Sequence, residues 1–305
     1  GRCQGASGQA EESRSHNIIA GACMRKSNGH LGRLTGNRTS LYCIIGMPAH
    51  HSLSPAMHNA MFSKLGMDSI FLAFDVPKEK LEEAIQGMRA YDIKGMTLTS
   101  PHKEKALKLV DYVDKYAEEL GAVNTIANKN GKLYGYNTDE PGFVRSIEHY
   151  AREKDKRYLI IGAGGAARAF AFGLVRYLGA SNIKIINRTL AHAKSLSRDL
   201  AARTGVKAEV AKLGSEKANR FVKSSEFIIN ATNITLENST KTPIGKDLLD
   251  KDKIVFDANY VPLENRLIKE AREKGCITIS GIELLVNQGI EAFRLFTGRK
   301  ADYKT

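Results

Sequence analysis

From Leu41 onward, apolar and polar positions follow two periods. "LYCIIG" and "IFLAFDV" are short apolar runs that predict strands. "SPAMHNAMFSKLG" and "KEKLEEAIQGMRAYD" have helical spacing, with Leu81, Ile85 and Met88 on one face of the second. "GMTLTSPHKEKALKL" predicts a strand over Met96–Thr99 and a helix after it. Strands alternating with helices of about 10–15 residues predict a parallel α/β sheet. "AVNTIANKNGKLYGYNTD" breaks the alternation and reads as two strands joined by a hairpin-type turn at "NKNGK". The helix "EPGFVRSIEHYAREK" leads away from it.

A second series begins at Lys156. "RYLIIGAGGAARAFAFGLVRYLG" is a strand, a glycine turn and a helix. The strand "NIKIINRT" and the helix "LAHAKSLSRDLAART" follow. "EFIINAT" and "KIVFDANY" predict two more buried strands. "LENRLIKEAREKG" predicts a helix before "CITIS", and "GIELLVNQGIEAFRLFTG" a last helix. The pattern predicts two α/β domains with the boundary near Asp139–Lys156.

Residues 1–40 lack this periodicity. They are rich in Gly, Ser and polar residues and carry six Lys/Arg and two acidic residues. They read as a disordered leader, a linker from a longer polypeptide, or a tag, and the initial Gly1 suggests a processed or excised fragment. The whole chain of 305 residues has a formal charge of +13. The basic residues are spread along it with no DNA or RNA motif, so attraction of small anionic ligands is the better reading than nucleic-acid binding. No apolar run is long enough for a membrane span. Cys3, Cys23, Cys43 and Cys276 form no CxxC pair, which argues against a structural zinc site or a disulfide framework and fits a reducing cytoplasm. No metal is expected.

Gly162, Gly164 and Ala167 form a G-x-G-x-x-A pattern between an apolar strand and a helix. Small residues there permit a tight turn and close approach of a pyrophosphate to the helix N-terminus. The bland alternative is a structural glycine turn. The next strand ends in Asn187, Arg188 and Thr189. NAD sites usually carry a carboxylate there for the ribose 2′-hydroxyl. An arginine and a hydroxyl suit a 2′-phosphate instead, so NADP is favoured over NAD.

Four polar clusters lie outside helix interiors in the first half. Ser52 and Ser54, two apart on an extended loop, can bind a carboxylate together. Thr99 and Lys103, then Asn124, then Asn137, Thr138 and Asp139, complete a set suited to a small polyhydroxylated acid. Each cluster alone also fits a helix start or a turn. Lys103 stands out because Ser100 reads as an N-cap and Pro101 as the first helical residue. Lys103 then occupies the slot of a capping-box Glu, where a cation opposes the helix dipole by about 0.3–1 kcal/mol. A lysine in that slot points to function, although it could also face solvent beside Lys105 and Lys108.

"HSLSP", "LTSPHK", "GAVNT", "GYNTDEPGF", "GAGGAAR", "NRT", "INAT", "DANYVP" and "NQGIEAF" occur in an order and spacing that resemble the shikimate dehydrogenase family over about residues 41–300. The resemblance implies an N-terminal α/β substrate domain with a mainly parallel sheet, a Rossmann-like NADP-binding domain, and a C-terminal helix returning to the first domain. In this chain the divisions would be 41–139 with 280–305, and 140–279. It implies NADPH-dependent, reversible reduction of 3-dehydroshikimate to shikimate, in a monomer or homodimer. Quinate or dual specificity, or a non-catalytic ligand sensor, are the alternatives; retention of Lys103 and Asp139 argues against the sensor. By the same resemblance, Lys103 and Asp139 are the catalytic pair. Ser52 and Ser54, assisted by Tyr260, hold the substrate carboxylate, and Thr99, Asn124 and Gln288 bind the ring hydroxyls. Gly162, Ala163, Gly164, Gly165, Ala166, Asn187, Arg188, Thr189 and Gly281 contact the cofactor. The Ser-x-Ser form resembles the shikimate-preferring branch. Two departures are Thr97, where the family usually has Asn, and Asn233-Ile234-Thr235 after "INAT".

Overall fold

The computed structural model describes residues 36–151, 156–234, 240–262 and 264–303. Most of the 1–40 leader, with Cys3 and Cys23, lies outside them, as do Thr235 and part of the expected domain boundary. The chain divides into two compact units, 1–138 with 288–305, and 139–287.

The first unit holds strands β1 (Ser40–Gly46), β2 (Ser69–Asp75), β3 (Gly95–Leu98), β4 (Tyr112–Val113), β5 (Thr125–Lys129) and β6 (Lys132–Tyr136). Their order in the sheet is β2-β1-β3-β5-β6-β4. β1 pairs in parallel with β2 and β3, and β4 with β6, while β5 runs antiparallel to β3 and β6. The antiparallel pair β5–β6 is the expected hairpin. Asn130 and Gly131 both have positive φ, 54° and 81°, the conformation that the Asn-Gly turn tolerates best. Helix α1 (Ser54–Lys64) packs on this sheet, as does α2 (Leu81–Ala90), whose Leu81, Ile85 and Met88 are fully buried at helical spacing. Short helix α3 (Lys115–Leu120) is capped by the Asp114 carboxylate, which accepts from Tyr116 N at 3.0 Å.

The second unit has α4 (Asp139–Ile147), β7 (Tyr158–Ile161), α5 (Gly165–Leu178), β8 (Ile183–Asn187), α6 (Leu190–Thr204), β9 (Glu209–Lys212), α7 (Glu216–Ser224), β10 (Phe227–Asn230), β11 (Ile254–Asp257), α8 (Arg266–Glu273) and β12 (Ile277–Ile279). All five strand pairings are parallel, in the order β12-β11-β10-β7-β8-β9. Chain direction across the sheet reverses between β7 and β10, and ligands of open α/β sheets bind at such a reversal. In the core Phe143 stacks on Phe170 and Phe256 meets both edge-on, with ring centroids 4.2 to 5.8 Å apart.

Helix α9 (Gly281–Thr297) starts in the second unit, and from Gln288 it belongs to the first. There Phe293 lies 5.4 Å from the Phe62 ring and Phe296 lies 5.6 Å from Tyr42. Phe296 covers Gly95 so closely that a Cβ on Gly95 would overlap its ring. Among the described residues, no helix is long and apolar enough to cross a membrane.

Candidate active site

In the first unit, the carboxyl ends of β1, β3 and β6 and the amino end of β5 share one edge of the sheet. Thr99 follows β3, and its N–H donates to the Ile45 carbonyl at 3.0 Å. A Cβ on Gly46 would overlap the Thr99 methyl, so the glycine is needed to seat Thr99 there. Asn124 precedes β5. Its carbonyl accepts from Leu98 N at 2.7 Å and its N–H donates to Tyr136 O at 3.0 Å, so its backbone bridges β3 and β6.

The Asn124 side chain is 3% exposed. Its Oδ1 accepts from Thr138 N at 2.8 Å and Thr125 Oγ1 at 2.9 Å, and its Nδ2 donates to Thr138 Oγ1 at 3.2 Å. Thr138 Oγ1 in turn meets Gln288 Oε1 at 3.4 Å. Two of the expected ring-binding residues, Asn124 and Gln288, are thus joined through Thr138. In the sequence Thr138 stands only within the polar cluster "GYNTD", whose position is the one sign of this link.

The loop after β1 is pinned by Asp75 at the end of β2. Asp75 Oδ1 accepts from Ala49 N at 2.5 Å and His50 N at 3.1 Å, and Oδ2 meets His50 Nδ1 at 2.6 Å. The Ala49 amide first, then the His50 side chain, holds the Asp75 carboxyl below its ordinary range. Ser52 and Ser54 do not lie on an extended loop, as the sequence suggested. Ser54 is buried as the first residue of α1, with Pro55 in the first turn, and its N–H donates to Ser52 Oγ at 3.1 Å. Pro in the first turn pre-sets the helical φ, and the helix begins at Ser54, where the helical spacing of "SPAMHNAMFSKLG" begins.

Lys103 also differs from its expectation. No α-helix follows Ser100; residues 101–104 form turns, and a short 3₁₀ segment covers Lys105–Lys108. Tertiary burial overrides local propensity here. His102 is fully buried with Nε2 at 2.8 Å from the Val76 carbonyl, and the Lys103 carbonyl accepts from Val123 N at 2.8 Å. That carbonyl is therefore unavailable to a helical ladder, and the helix-dipole argument for Lys103 falls away. Lys103 is instead half-buried, with its backbone tied to the residue preceding Asn124.

In the second unit, the glycine turn follows β7. Gly162 has φ +117°, and a Cβ on it would come within 3.0 Å of the Ala231 carbonyl oxygen and 3.1 Å of Thr232 Cγ2. Gly164 is the N-cap of α5 and supplies no side-chain cap. A Cβ on Gly164 or Gly165 would meet nothing within 4 Å, and both residues are exposed. The turn thus offers an open cradle at the N-terminus of a 14-residue helix, where backbone N–H groups favour an anion. Ala163 and Ala166 flank it, half-buried.

At the end of β8, Asn187 Nδ2 donates to the Thr189 carbonyl at 2.9 Å, and Arg188 and Thr189 are exposed. Thr189 starts α6 without a side-chain cap bond. This donor set, with no carboxylate at the strand end, fits the 2′-phosphate of NADP. Gly281 is buried, and a Cβ there would overlap the Ala258 carbonyl; its missing side chain allows α9 to start against Ala258 and Asn259. Tyr260 is half-buried just beyond β11, and Asp139 is half-buried as the first residue of α4.

The family model of the shikimate dehydrogenase substrate binding domain matches residues 44–126. That of shikimate/quinate 5-dehydrogenase matches 146–257, and that of the shikimate 5′-dehydrogenase C-terminal domain 281–305. The NADP(+) shikimate dehydrogenase of Thermococcus kodakarensis is 43% identical over 264 residues, spanning 87% of this chain and 93% of that protein. The chain belongs to the shikimate dehydrogenase family. Among solved members, a shikimate dehydrogenase in complex with NADP+ is 38% identical, with a TM-score of 0.84 over 90% of this chain and 96% of that one. The Thermus thermophilus shikimate 5-dehydrogenase in complex with NADP(H) and shikimate is 34% identical, with a TM-score of 0.78, covering 87% of this chain and 96% of the other. The two-unit α/β fold and the oxidoreductase class expected from the sequence are those of this family.

Proposed function

We propose that this chain catalyses the reversible, NADP-dependent interconversion of 3-dehydroshikimate and shikimate, a step of the shikimate pathway. The observation that carries the reading is the linked polar edge Asn124–Thr138–Gln288 beside Thr99, a donor and acceptor set suited to a hydroxylated ring. Residues 41–139 with 280–305 are assigned as the substrate domain and 140–279 as the cofactor domain. Ser52 and Ser54, with Tyr260, take the substrate carboxylate, and Thr99, Asn124 and Gln288 take the hydroxyls. The cradle Gly162–Ala166, with Gly281, takes the dinucleotide, and Asn187, Arg188 and Thr189 take its 2′-phosphate.

When bound, the nicotinamide supplies or accepts the hydride. The chain itself must orient the ring and manage one proton. Lys103 Nζ donates a proton to the substrate oxygen in the reducing direction and removes it in the other. Asp139 is assigned the role of orienting the proton donor and the same hydroxyl. The free buried thiols Cys43 and Cys276 suit a cytoplasmic setting.

Initial rates with shikimate and with quinate, each against NADP and NAD, test the reading. The proposal expects the highest kcat/KM for shikimate with NADP. A higher value for quinate would reassign the chain to the quinate branch, and no turnover with any of the four pairs would overturn the assignment.

A further inference from the structure

β10 and β11 end side by side, with Asn230 registered opposite Asp257. Both are fully buried. A buried carboxylate is costly unless hydrogen bonds replace its water. Asp257 receives at least four. Its Oδ2 accepts from Asn230 Nδ2 and Asn265 Nδ2, both at 3.1 Å, and its Oδ1 from Asn259 N at 2.9 Å and Asn259 Nδ2 at 2.8 Å.

This pattern fixes which way two amides point. With Nδ2 held by Asp257, Asn230 must turn Oδ1 outward, where it accepts from Thr232 Oγ1 at 2.7 Å and Thr232 N at 3.1 Å. Asn259, likewise held, also donates Nδ2 to the Thr232 carbonyl at 2.7 Å. Both backbone polar groups of Thr232 are therefore gripped by side chains that hang on Asp257. Thr232 and Ala231 are the residues against which Gly162 closes at the reversal of the sheet. Holding two strand ends together needs only apolar contact. A carboxylate with four donors does more, because it sets the donor and acceptor polarity of the wall facing the glycine turn.

We infer that Asp257 is the positioning residue of the cofactor crevice, acting through Asn230, Asn259 and Thr232. The inference rests on the proposed NADP reading. In Asp257→Asn, either orientation of the new amide sets its NH₂ against two of the four donors, so the network cannot close. NADP binding to the purified chain is measured by isothermal titration calorimetry, with far-UV circular dichroism as the check on folding. Asp257→Asn is expected to raise the NADP Kd at least tenfold in a folded protein. Asn259→Asp, which turns an acceptor toward Asp257 and the Thr232 carbonyl, is expected to do the same and decides the matter if the first variant does not fold. The double variant Asn230→Asp/Asp257→Asn restores a donor–acceptor pair between the strands and is expected to recover part of the affinity; a merely weakened fold would lose more. A Kd within twofold of the unmodified chain in either folded single variant overturns the inference, as does a double variant that binds no better than Asp257→Asn. If the unmodified chain binds no NADP, it is the cofactor reading that fails.

Discussion

Glu140 directs both carboxylate oxygens at Nη1 of Arg176, each at 3.0 Å, and is itself only 1% exposed. The pair joins α4 to α5. The Arg176 guanidinium also lies over the Phe172 ring, 5.0 Å from its centroid. Breaking a buried pair leaves an uncompensated charge, which costs about 3–5 kcal/mol. Glu140→Gln should therefore lower the unfolding free energy by about 3 kcal/mol in urea titrations. Glu140→Leu/Arg176→Met, which removes both charges, should lose much less. Equal losses in the two variants would mean that volume, not charge, decides the site.

Gly162 and Gly165 make opposite predictions although they are three residues apart. Alanine at 162 must accept φ +117° and press on the Ala231 carbonyl, so Gly162→Ala should destabilise the second unit. Alanine at 165 meets nothing within 4 Å and replaces a helical glycine, so thermal stability should be unchanged or raised by up to about 1 kcal/mol. Its methyl nevertheless projects into the cradle, so the NADP Kd should rise in Gly165→Ala. Calorimetric melts and NADP titrations of the two variants separate a fold glycine from a ligand glycine.

Arg188 is exposed at the end of β8, and the proposed function assigns it to the 2′-phosphate that distinguishes NADP from NAD. Hydrogen bonds to charged groups are worth about 1.5–3 kcal/mol, or roughly 10- to 150-fold. Arg188→Ala should raise KM for NADP by about that factor and leave KM for NAD nearly unchanged. Parallel rises for both cofactors would remove Arg188 from the 2′-phosphate site.

If Lys103 has the acid/base role proposed for it, Lys103→Ala lowers kcat by orders of magnitude with a modest change in KM, because such a group acts on the proton and not on ground-state binding. Near-normal turnover would remove Lys103 from the acid/base role.

His58 on α1 makes the first unit sensitive to acid. Its ring stacks on Phe71 at 4.3 Å, has Phe62, Phe293 and Phe296 around it, and finds no hydrogen-bond partner for either nitrogen among the described residues. Burial pushes its pKa down from 6.5 to about 3. The unfolded chain then binds a proton that the folded chain refuses between those values. Stability from this residue is complete above pH 6.5 and is lost as pH falls toward 3, by about 1.4 kcal/mol per unit at the steepest. Urea titrations from pH 7 to 4 should show a steeper fall for the unmodified chain than for His58→Phe. Identical slopes would show that His58 takes up its proton in the folded state.

The parts of this molecule that were legible in the sequence are those in which local pattern and tertiary environment agree. Leu81, Ile85 and Met88 form the buried face that their spacing predicts, Asn130–Gly131 makes its turn, and Gly162 closes after an apolar strand. The parallel sheet of the second unit follows from its fully buried strands β7, β10 and β11; β9 is weakly patterned, and α7 lay outside the expected elements although Ala218, Phe221 and Val222 have helical spacing. Reading failed where distant partners decide. The helix expected after Ser100 gives way because His102 reaches Val76 and Lys103 receives Val123. Ser52 and Ser54 share no extended loop, because Ser54 is already the first residue of α1. The Asp257 network was invisible because its link to Asn230 spans 27 residues, and nothing in the spacing of the nearby Asn259 and Asn265 shows that they turn back onto the carboxylate. Polar networks have no period, so no count of spacings reveals them.

Helix α9 imposes an order of assembly. The first unit takes Phe293 and Phe296 into contact with Phe62, Tyr42 and Gly95, yet these two residues leave the ribosome after all of the second unit. The domain whose strands are synthesised first is thus the last to have its core complete. On a translating ribosome the second unit can finish its sheet while the first still waits for its closing aromatic rings. A released chain truncated before Phe293 would hold a complete second unit joined to a first unit that lacks its closing aromatic rings.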